Sequence, residues 1–476
     1  MIIQHGACAL PGADEFRRLD IRVVDGRIVA LEPALEPEAG EETIDAAGLQ
    51  VFPGAIDPHV HFDEPGFTQR EDFLHGSMAA ARGGVTTVID MPCTSLPPVT
   101  SLAKLRIKLA AMGQRSVVDF GLFGGVSGHR IEEALERDMA ELAPEVLGFK
   151  CYLISGMDSF TAVDHFGLAR ALNTAARLGR PLLLHAEDPS YVNAATVACK
   201  ARSVSGGQTA TWDDYVESRP MGAELAAIAA AISYARPGSR NGGQVQADLR
   251  PWLHIVHVGT ADAVELLAGF GQGASCETCP QYLVFSRDDF VTLGSALKTA
   301  PPVKEAGNAE RLWQQLADGR IAFAASDHAP APAAEKNSGS VWTDYGGIPG
   351  SGTLFPLLYS EGFRRGRLGL SALLRASCGA AAARYGLVSA KGSLAVGKDA
   401  DLALVDPAAT RTVRGDALLS KGTITPFEGM TLAGDVVLTM VRGRTVWDGQ
   451  RATDERPDAG IVVAPGWGKQ LRWGNL

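Results

Sequence analysis

A basic surface, a long apolar run and a paired cysteine motif are all missing from this chain, and each absence removes a class of function. Acidic residues outnumber Lys and Arg by 54 to 44, a net charge of -10. No Lys/Arg cluster is interleaved with aromatics, so no nucleic acid and no membrane surface is expected as a partner. No stretch approaches the roughly 18 apolar residues that span a bilayer. The start, Met-Ile-Ile-Gln-His-Gly, is not a basic segment leading into an apolar one, and the chain reads as cytoplasmic. The 7 cysteines are odd in number and scattered, which fits buried reduced thiols rather than a disulfide framework. Cys276-Glu-Thr-Cys279 lacks the second C-x-x-C of a zinc ribbon and reads as two strand residues. Fixed-period repeats and long low-complexity segments are absent too.

What is present is a chain of 476 residues, 46% hydrophobic and with 54 glycines, the texture of an α/β protein rich in tight turns. That length exceeds one ordinary domain and fits a large barrel with a smaller companion. Residues 1–52 read as short strands, with Asp25-Gly26 as a hairpin turn between alternating runs. The same texture returns in Ala400–Asp406, Val436–Arg442 and Thr445–Trp447, so the two ends are expected to build one small β-sandwich. Between them, apolar runs at 51–58, 85–91, 116–123, 146–153, 181–185, 252–258, 273–279 and 321–327 give eight strands. Helical patterns intervene, among them Phe73–Arg82, Ile131–Leu142, Phe166–Leu178, Ala223–Ala235 and Leu312–Ala317. The expected organisation is an N-terminal β part at 1–52, a (β/α)8 TIM-type barrel at 53–392, a C-terminal β part at 393–449 and a tail at 450–476. Segments 199–222 and 237–250 read as irregular insertions. The tail's Trp467 and Trp473 either cover the barrel's own bottom or pack on a neighbouring subunit.

His59-Val-His61 ends the first barrel run, and side chains two apart on a strand share a face, so both imidazoles can reach one metal ion. An H-x-H alone is also common in ordinary surface strands. Four further candidates stand at the polar ends of later runs: Lys150, His185, His257 and Asp327. Functional groups at the C-terminal ends of successive parallel strands are how such a barrel builds its site. Lys150 is the unusual member, because an ammonium buried at a strand end is costly and repels a nearby cation. A neutral amine that captures carbon dioxide becomes an anionic carbamate (N6-carboxylysine) able to bridge two divalent ions, leaving enough positive charge to polarise a carbonyl. A lysine that snorkels outward or pairs with a carboxylate is the plainer alternative.

The ordered set His59/His61, Lys150, His185, His257, Asp327 resembles the amidohydrolase superfamily, specifically its cyclic-amide branch of dihydroorotases, hydantoinases and allantoinases. The resemblance runs nearly end to end. It is carried by Phe52-Pro-Gly-Ala-Ile-Asp-Pro-His-Val-His61, Glu64-Pro-Gly66, Gly148-Phe-Lys-Cys-Tyr152, Leu184-His-Ala-Glu187, Glu277-Thr-Cys-Pro280 and Ser326-Asp-His-Ala-Pro330. It implies two metal ions, usually zinc, bridged by carboxylated Lys150 and hydroxide. His59, His61 and Asp327 would hold one ion and His185 and His257 the other. Asp327 would take the proton as hydroxide attacks the carbonyl and pass it to the leaving nitrogen. A homodimer or homotetramer is implied as well. His254 and His328 read as packed or hydrogen-bonded residues, His254 on the opposite side of its strand from His257.

Within the branch, dihydroorotases place an Arg soon after H-x-H and an Asn after Met-Pro. Here those stretches read His61-Phe-Asp63 and Met91-Pro-Cys93-Thr94, so the carboxylate grip is missing and Asp63 would repel an anion. Allantoinases look nearer, through Asp214-Tyr-Val-Glu-Ser-Arg-Pro220 with Glu224, Leu297-Lys-Thr-Ala-Pro-Pro302, and Gly346-Gly347. The implied reaction is the opening of a cyclic ureide or amide, allantoin to allantoate, with Asp63 and Thr94 meeting the ureido group and Tyr152 facing the oxyanion. Gln281, Thr94 and Gly259 depart from the allantoinase pattern. Hydantoinase or dihydroorotase activity is the alternative, and a non-catalytic scaffold of the same fold is the rival from another class. Scaffolds lose ligand residues, whereas all six positions are filled here.

Overall fold

The computed structural model describes residues 1–132, 134–207, 209–235, 253–271 and 273–474. The chain begins with β1 (Ile2–Cys8), β2 (Arg17–Val24), β3 (Arg27–Glu32), β4 (Thr43–Asp45) and β5 (Gln50–Pro53). The barrel strands follow: β6 (Ala55–Val60), β7 (Val85–Asp90), β8 (Asp119–Leu122), β9 (Gly124–Gly125), β10 (Phe149–Tyr152), β11 (Leu182–His185), β12 (Leu253–Ile255), β13 (Ala274–Thr278) and β14 (Phe323–Ala324). Last come β15 (Leu402–Thr412), β16 (Thr431–Val441) and β17 (Arg444–Asp448).

All eight barrel positions are filled and every barrel pairing is parallel, the third strand being split into β8 and β9. Leu147 N donates to Leu122 O, which carries that third strand onto the fourth. The cylinder closes just beyond β14, where His61 N donates to His328 O at 2.8 Å and His328 N to His59 O at 3.2 Å. The apolar run expected as one strand from 51 to 58 is two, broken at Gly54. A Cβ there would sit 2.2 Å from Thr86 Oγ1, so only glycine lets the chain leave the small sheet this close to β7.

The small sheet runs β17-β16-β15-β5-β1-β2-β3, with β4 beside β1, so both ends of the chain share it as expected. It curls until Arg27 bridges Asp399, and Ile28 packs in one core with Leu402, Leu404 and Met440. The expected hairpin turn at Asp25 and Gly26 is seen, with φ of 50° and 78°, and a like turn joins β16 to β17, where Arg442 and Gly443 have 47° and 70°. Two consecutive left-handed residues twist a turn to match its strands. Phe52 fastens this sheet to the barrel layer, its ring 5.3 Å from Phe355 and 5.8 Å from Tyr359. Lys391 adds a polar tie, with Nζ 2.6 Å from Asp119, 2.7 Å from Asp401 and 3.0 Å from the half-buried Asp399.

Helix Phe73–Arg82 forms where the pattern placed it, started by Asp72, whose side chain accepts the His75 N–H, and ended at Gly83. Its Gly76 lies against Phe62, where a Cβ would come within 2.3 Å of the ring. Other boundaries move. The expected Ile131–Leu142 helix begins only at Leu135, and the one expected at Leu312 begins at Asn308. Residues 199–222 are not irregular: they contain the end of helix Pro189–Ser205, all of Trp212–Glu217 and the start of Met221–Ala235. Asp188 caps the first of these and a Thr211/Asp214 capping box starts the second. The insertion expected at 237–250, and Trp252, lie outside the described residues.

The tail covers the barrel's own bottom. Leu471 N donates to Phe120 O, Trp467 Nε1 donates to Val441 O at 3.0 Å, and Arg180 lies over Trp473. All 7 cysteines are unpaired and buried. Among the described residues no helix is long and apolar enough to cross a membrane.

Candidate metal-dependent active site

Strand register decides what points into the barrel. Lys150 pairs with Leu183, and Tyr152 with His185, so these side chains share the inner face while Phe149, Leu182 and Leu253 face the helices. His59 lies in β6 and His61 just past it. His257 and Asp327 lie beyond the ends of β12 and β14, with φ of 40° and 51°. Left-handed backbone in residues other than glycine costs on the order of 1–3 kcal/mol and persists where surrounding contacts over-determine it.

These turns bring the side chains together. Asp327 Oδ1 lies 3.1 Å from His59 Nε2 and 3.2 Å from His61 Nε2. His185 Nδ1 lies 3.0 Å from His257 Nε2. The rings of His59 and His257 are 5.4 Å apart, which links the two groups. Lys150 Nζ is fully buried and meets no hydrogen-bonding acceptor, its near neighbour being the Tyr152 ring at 4.8 Å. All six residues named from the sequence as ligands therefore converge.

Burial sets the electrostatics. It pushes Lys150 down to about 8, against the pull of Cys93, Asp327 and Glu277. It also pushes His59 and His257 well below the usual imidazole range and lowers His185, keeping these rings neutral. For His61 burial is outweighed by Cys93 and Asp327, which raise it to about 10. Burial likewise opposes ionisation of Asp327, but His59, His61 and His257 hold its carboxyl well below normal. Three neutral imidazoles, an ionised carboxylate and an unpartnered amine that deprotonates readily, joined by His61 once a cation displaces its proton, are the donor set that hard or borderline divalent cations take. His59 Nε2 and Lys150 Nζ, buried without hydrogen-bond partners, are the atoms such ions and a carboxylated lysine would satisfy.

Sequence reading missed the residues that hold these donors. Glu277 bonds His59 Nδ1 at 2.5 Å and, through its other oxygen, His254 Nε2 at 3.1 Å. Glu187 bonds His185 Nε2 at 2.9 Å and the Arg219 guanidinium. Asp57 takes the Ser326 and Ser351 hydroxyls beside Asp327. Glu187 and Glu277 sit on inward positions, Glu187 two residues after His185, so strand parity was the available signal. Parity misled for His254. It points into the barrel, stacked on Phe323, because β12 ends at Ile255 and His257 has left the strand. His328 bonds Glu71 and accepts from Gly350 N and Ser351 N, a structural histidine as expected.

Above the ligands opens a cavity of about 480 Å³ lined by His59, His61, His185, His257 and Asp327, with Thr94 and Tyr152 on its wall as expected. Asp63 is not on it. Both its oxygens are buried, and burial pushes its carboxyl up to about 7, so its expected contact with substrate is corrected. Arg219, Lys200 and Lys298 line the same cavity, so cations reach it from other elements although the Arg after His61 and the Asn after Met91-Pro92 are missing. Tyr152 Oη lies 3.1 Å from Cys93 Sγ, and Thr94 Oγ1 lies 3.3 Å from His61 Nδ1.

The family model described as Amidohydrolase family matches residues 50–446. An allantoinase of Rubrobacter xylanophilus is 40% identical over 98% of this chain and 97% of its own. An allantoinase of Escherichia coli O1:K1 is 30% identical over 97% of this chain and 98% of its own. Among solved structures, the L-hydantoinase (dihydropyrimidinase) of Arthrobacter aurescens superposes with a TM-score of 0.88 at 32% identity, covering 99% of each chain.

Proposed function

This chain belongs to the amidohydrolase family and is a cyclic amide hydrolase, and from that premise we propose that it opens the ring of allantoin to give allantoate. Enzymes of the family are generally binuclear and metal-dependent, and His59, His61 and Asp327 form a group able to hold an ion. In this reading His59, His61 and Asp327 would hold one divalent cation and His185 and His257 a second, with Lys150, carboxylated by carbon dioxide, as a further anionic ligand. When bound, the pair, zinc in this reading, supplies an activated water and a polarised carbonyl.

The protein's own groups do the rest. Asp327, held ionised, accepts the proton of the attacking water and returns it to the ring nitrogen as the C–N bond breaks, so water is added across the amide with no other reactant. Tyr152, which lines the cavity, donates in this reading to the oxyanion that develops on the carbonyl. Thr94 and Lys298 line the wall on which a ureido substituent can find donors. A dimer or tetramer is part of the same reading.

The observation that carries the proposal is the fully buried Lys150 amine, without an acceptor, among four convergent histidines and an aspartate. A hydantoinase-type activity is the second reading, favoured by the structural match to L-hydantoinase and by the hydantoin ring that allantoin contains. Steady-state rates with allantoin, hydantoin, dihydrouracil and dihydroorotate, measured side by side, distinguish these. Allantoin is expected to give the highest kcat/KM, and a clear preference for dihydroorotate overturns the proposal.

A further inference from the structure

Arg219 and Glu224 belong to the segment that carried the allantoinase likeness, yet the chemistry above leaves Glu224 unused. Both lie between Trp212 and Ala235, on the two helices Trp212–Glu217 and Met221–Ala235 and their connection. From this one segment two supports reach the second-ion histidines, Arg219 from the cavity wall and Glu224 from the interior. Arg219 bonds Glu187, whose Oε2 takes His185 Nε2 at 2.9 Å and leaves Nδ1 free to face His257. Glu224 Oε1 accepts the Gly259 N–H at 2.8 Å, while Asn308 Nδ2 donates to the Gly259 carbonyl at 2.9 Å. The peptide two residues past His257 is thus gripped from both sides, and His257 is the residue whose φ of 40° needs holding.

Glu224 is only 2% exposed and its partner Lys304 lies 3.4 Å away, itself buried. A buried ion pair is a poor way to gain stability compared with apolar residues of the same volume, so a positional role accounts for it better. The first-ion residues lean on other elements: His59 on Glu277 in β13, and Asp327 on neighbours held by Asp57 in β6. A Cβ on Gly259 would stand 3.2 Å from Tyr282, a tight approach, and 3.6 Å from Glu224 Oε2, an ordinary contact.

We propose that the segment containing Arg219 and Glu224 sets the affinity of the second ion site alone, Arg219 acting through Glu187 and His185, and Glu224 through Gly259 and His257. This rests on the binuclear reading above. Both are positioning residues, and neither touches the reacting atoms.

The test is titration of the metal-free protein with zinc against a chromophoric chelator, with ions counted per chain and thermal midpoints recorded before metal is added. The wild type binds two ions; if it binds one, the binuclear reading fails and not merely this inference. Glu224→Ala is expected to weaken the second ion by about 10–100-fold while the first changes by less than about threefold. Glu224→Gln combined with Lys304→Met keeps an acceptor for Gly259 without stranding an ammonium, and is expected to restore the second ion to within about threefold of wild type. If Glu224→Ala does not fold, Asn308→Ala removes the other half of the grip and is read the same way. A folded variant that binds both ions as wild type does, or loses both equally, overturns the proposal.

Discussion

Lys150 Nζ lies 4.8 Å from the centre of the Tyr152 ring and has no hydrogen-bond acceptor, although it is completely buried. A cation over an aromatic face gains about 2 kcal/mol when desolvated, whereas burying an ammonium costs several. The ring does not balance that burden, and burial accordingly lowers the amine to about 8, toward the neutral form that the proposed carboxylation needs.

Lys150→Ala should reduce activity to background and empty the site of at least one ion. Short-chain carboxylic acids, which supply the missing anion, should restore part of the rate. Full activity of this variant without added acid would remove Lys150 from the mechanism.

Asp327→Asn keeps the shape but not the charge that His59, His61 and His257 sustain. We expect kcat to fall by about 10²–10⁴-fold, the usual share of a general acid–base. A fall confined to KM in metal-saturated protein would assign Asp327 to binding instead.

Lys391→Met removes the ammonium shared by Asp119, Asp399 and Asp401 where the small sheet meets the barrel, leaving Asp119 to Arg442 alone and Asp401 without a cation among the described residues. Removing one partner of a buried ionic cluster costs about 3–5 kcal/mol. Urea denaturation should show that loss, and a midpoint shift equivalent to under about 1 kcal/mol would mean the carboxylates find other partners.

Asp72 is the N-terminal cap of helix Phe73–Arg82. Burial pushes its carboxyl up, but His75 and Lys421 pull it well below the normal range. A carboxyl held low in the folded protein contributes stability above its unfolded pKa near 4, and that contribution disappears as pH falls below it. Asp72→Ala should therefore cost about 1 kcal/mol at pH 7 and progressively less below about pH 4. A penalty independent of pH would leave the cap's charge without a role.

The six candidate ligands were legible because each sits where an apolar run turns polar, a one-dimensional trace of strands ending at one rim. Helix Phe73–Arg82 was legible by its cap and period. Helix Pro189–Ser205 was not, because it shows water apolar groups such as Val197 and Val204 and has no clean stripe. Its Asp188-Pro189 start and the Thr211-x-x-Asp214 box were nevertheless in plain view. Counting alternate residues found His185 and could have found Glu187, but it failed at His254 because backbone leaving a strand does not keep strand parity. Asp63, two positions past a ligand, is buried away from the cavity wall, which residue spacing alone does not reveal once the strand has ended at Val60.

The seam of the cylinder is formed by backbone bonds from His59 and His61 to His328. The first and last strands therefore join through the residues that would grip the ion, so loosening that joint and releasing the metal become one event. Catalysis here is anchored to the hoop's own clasp, which leaves the reacting groups as stiff as the ring itself.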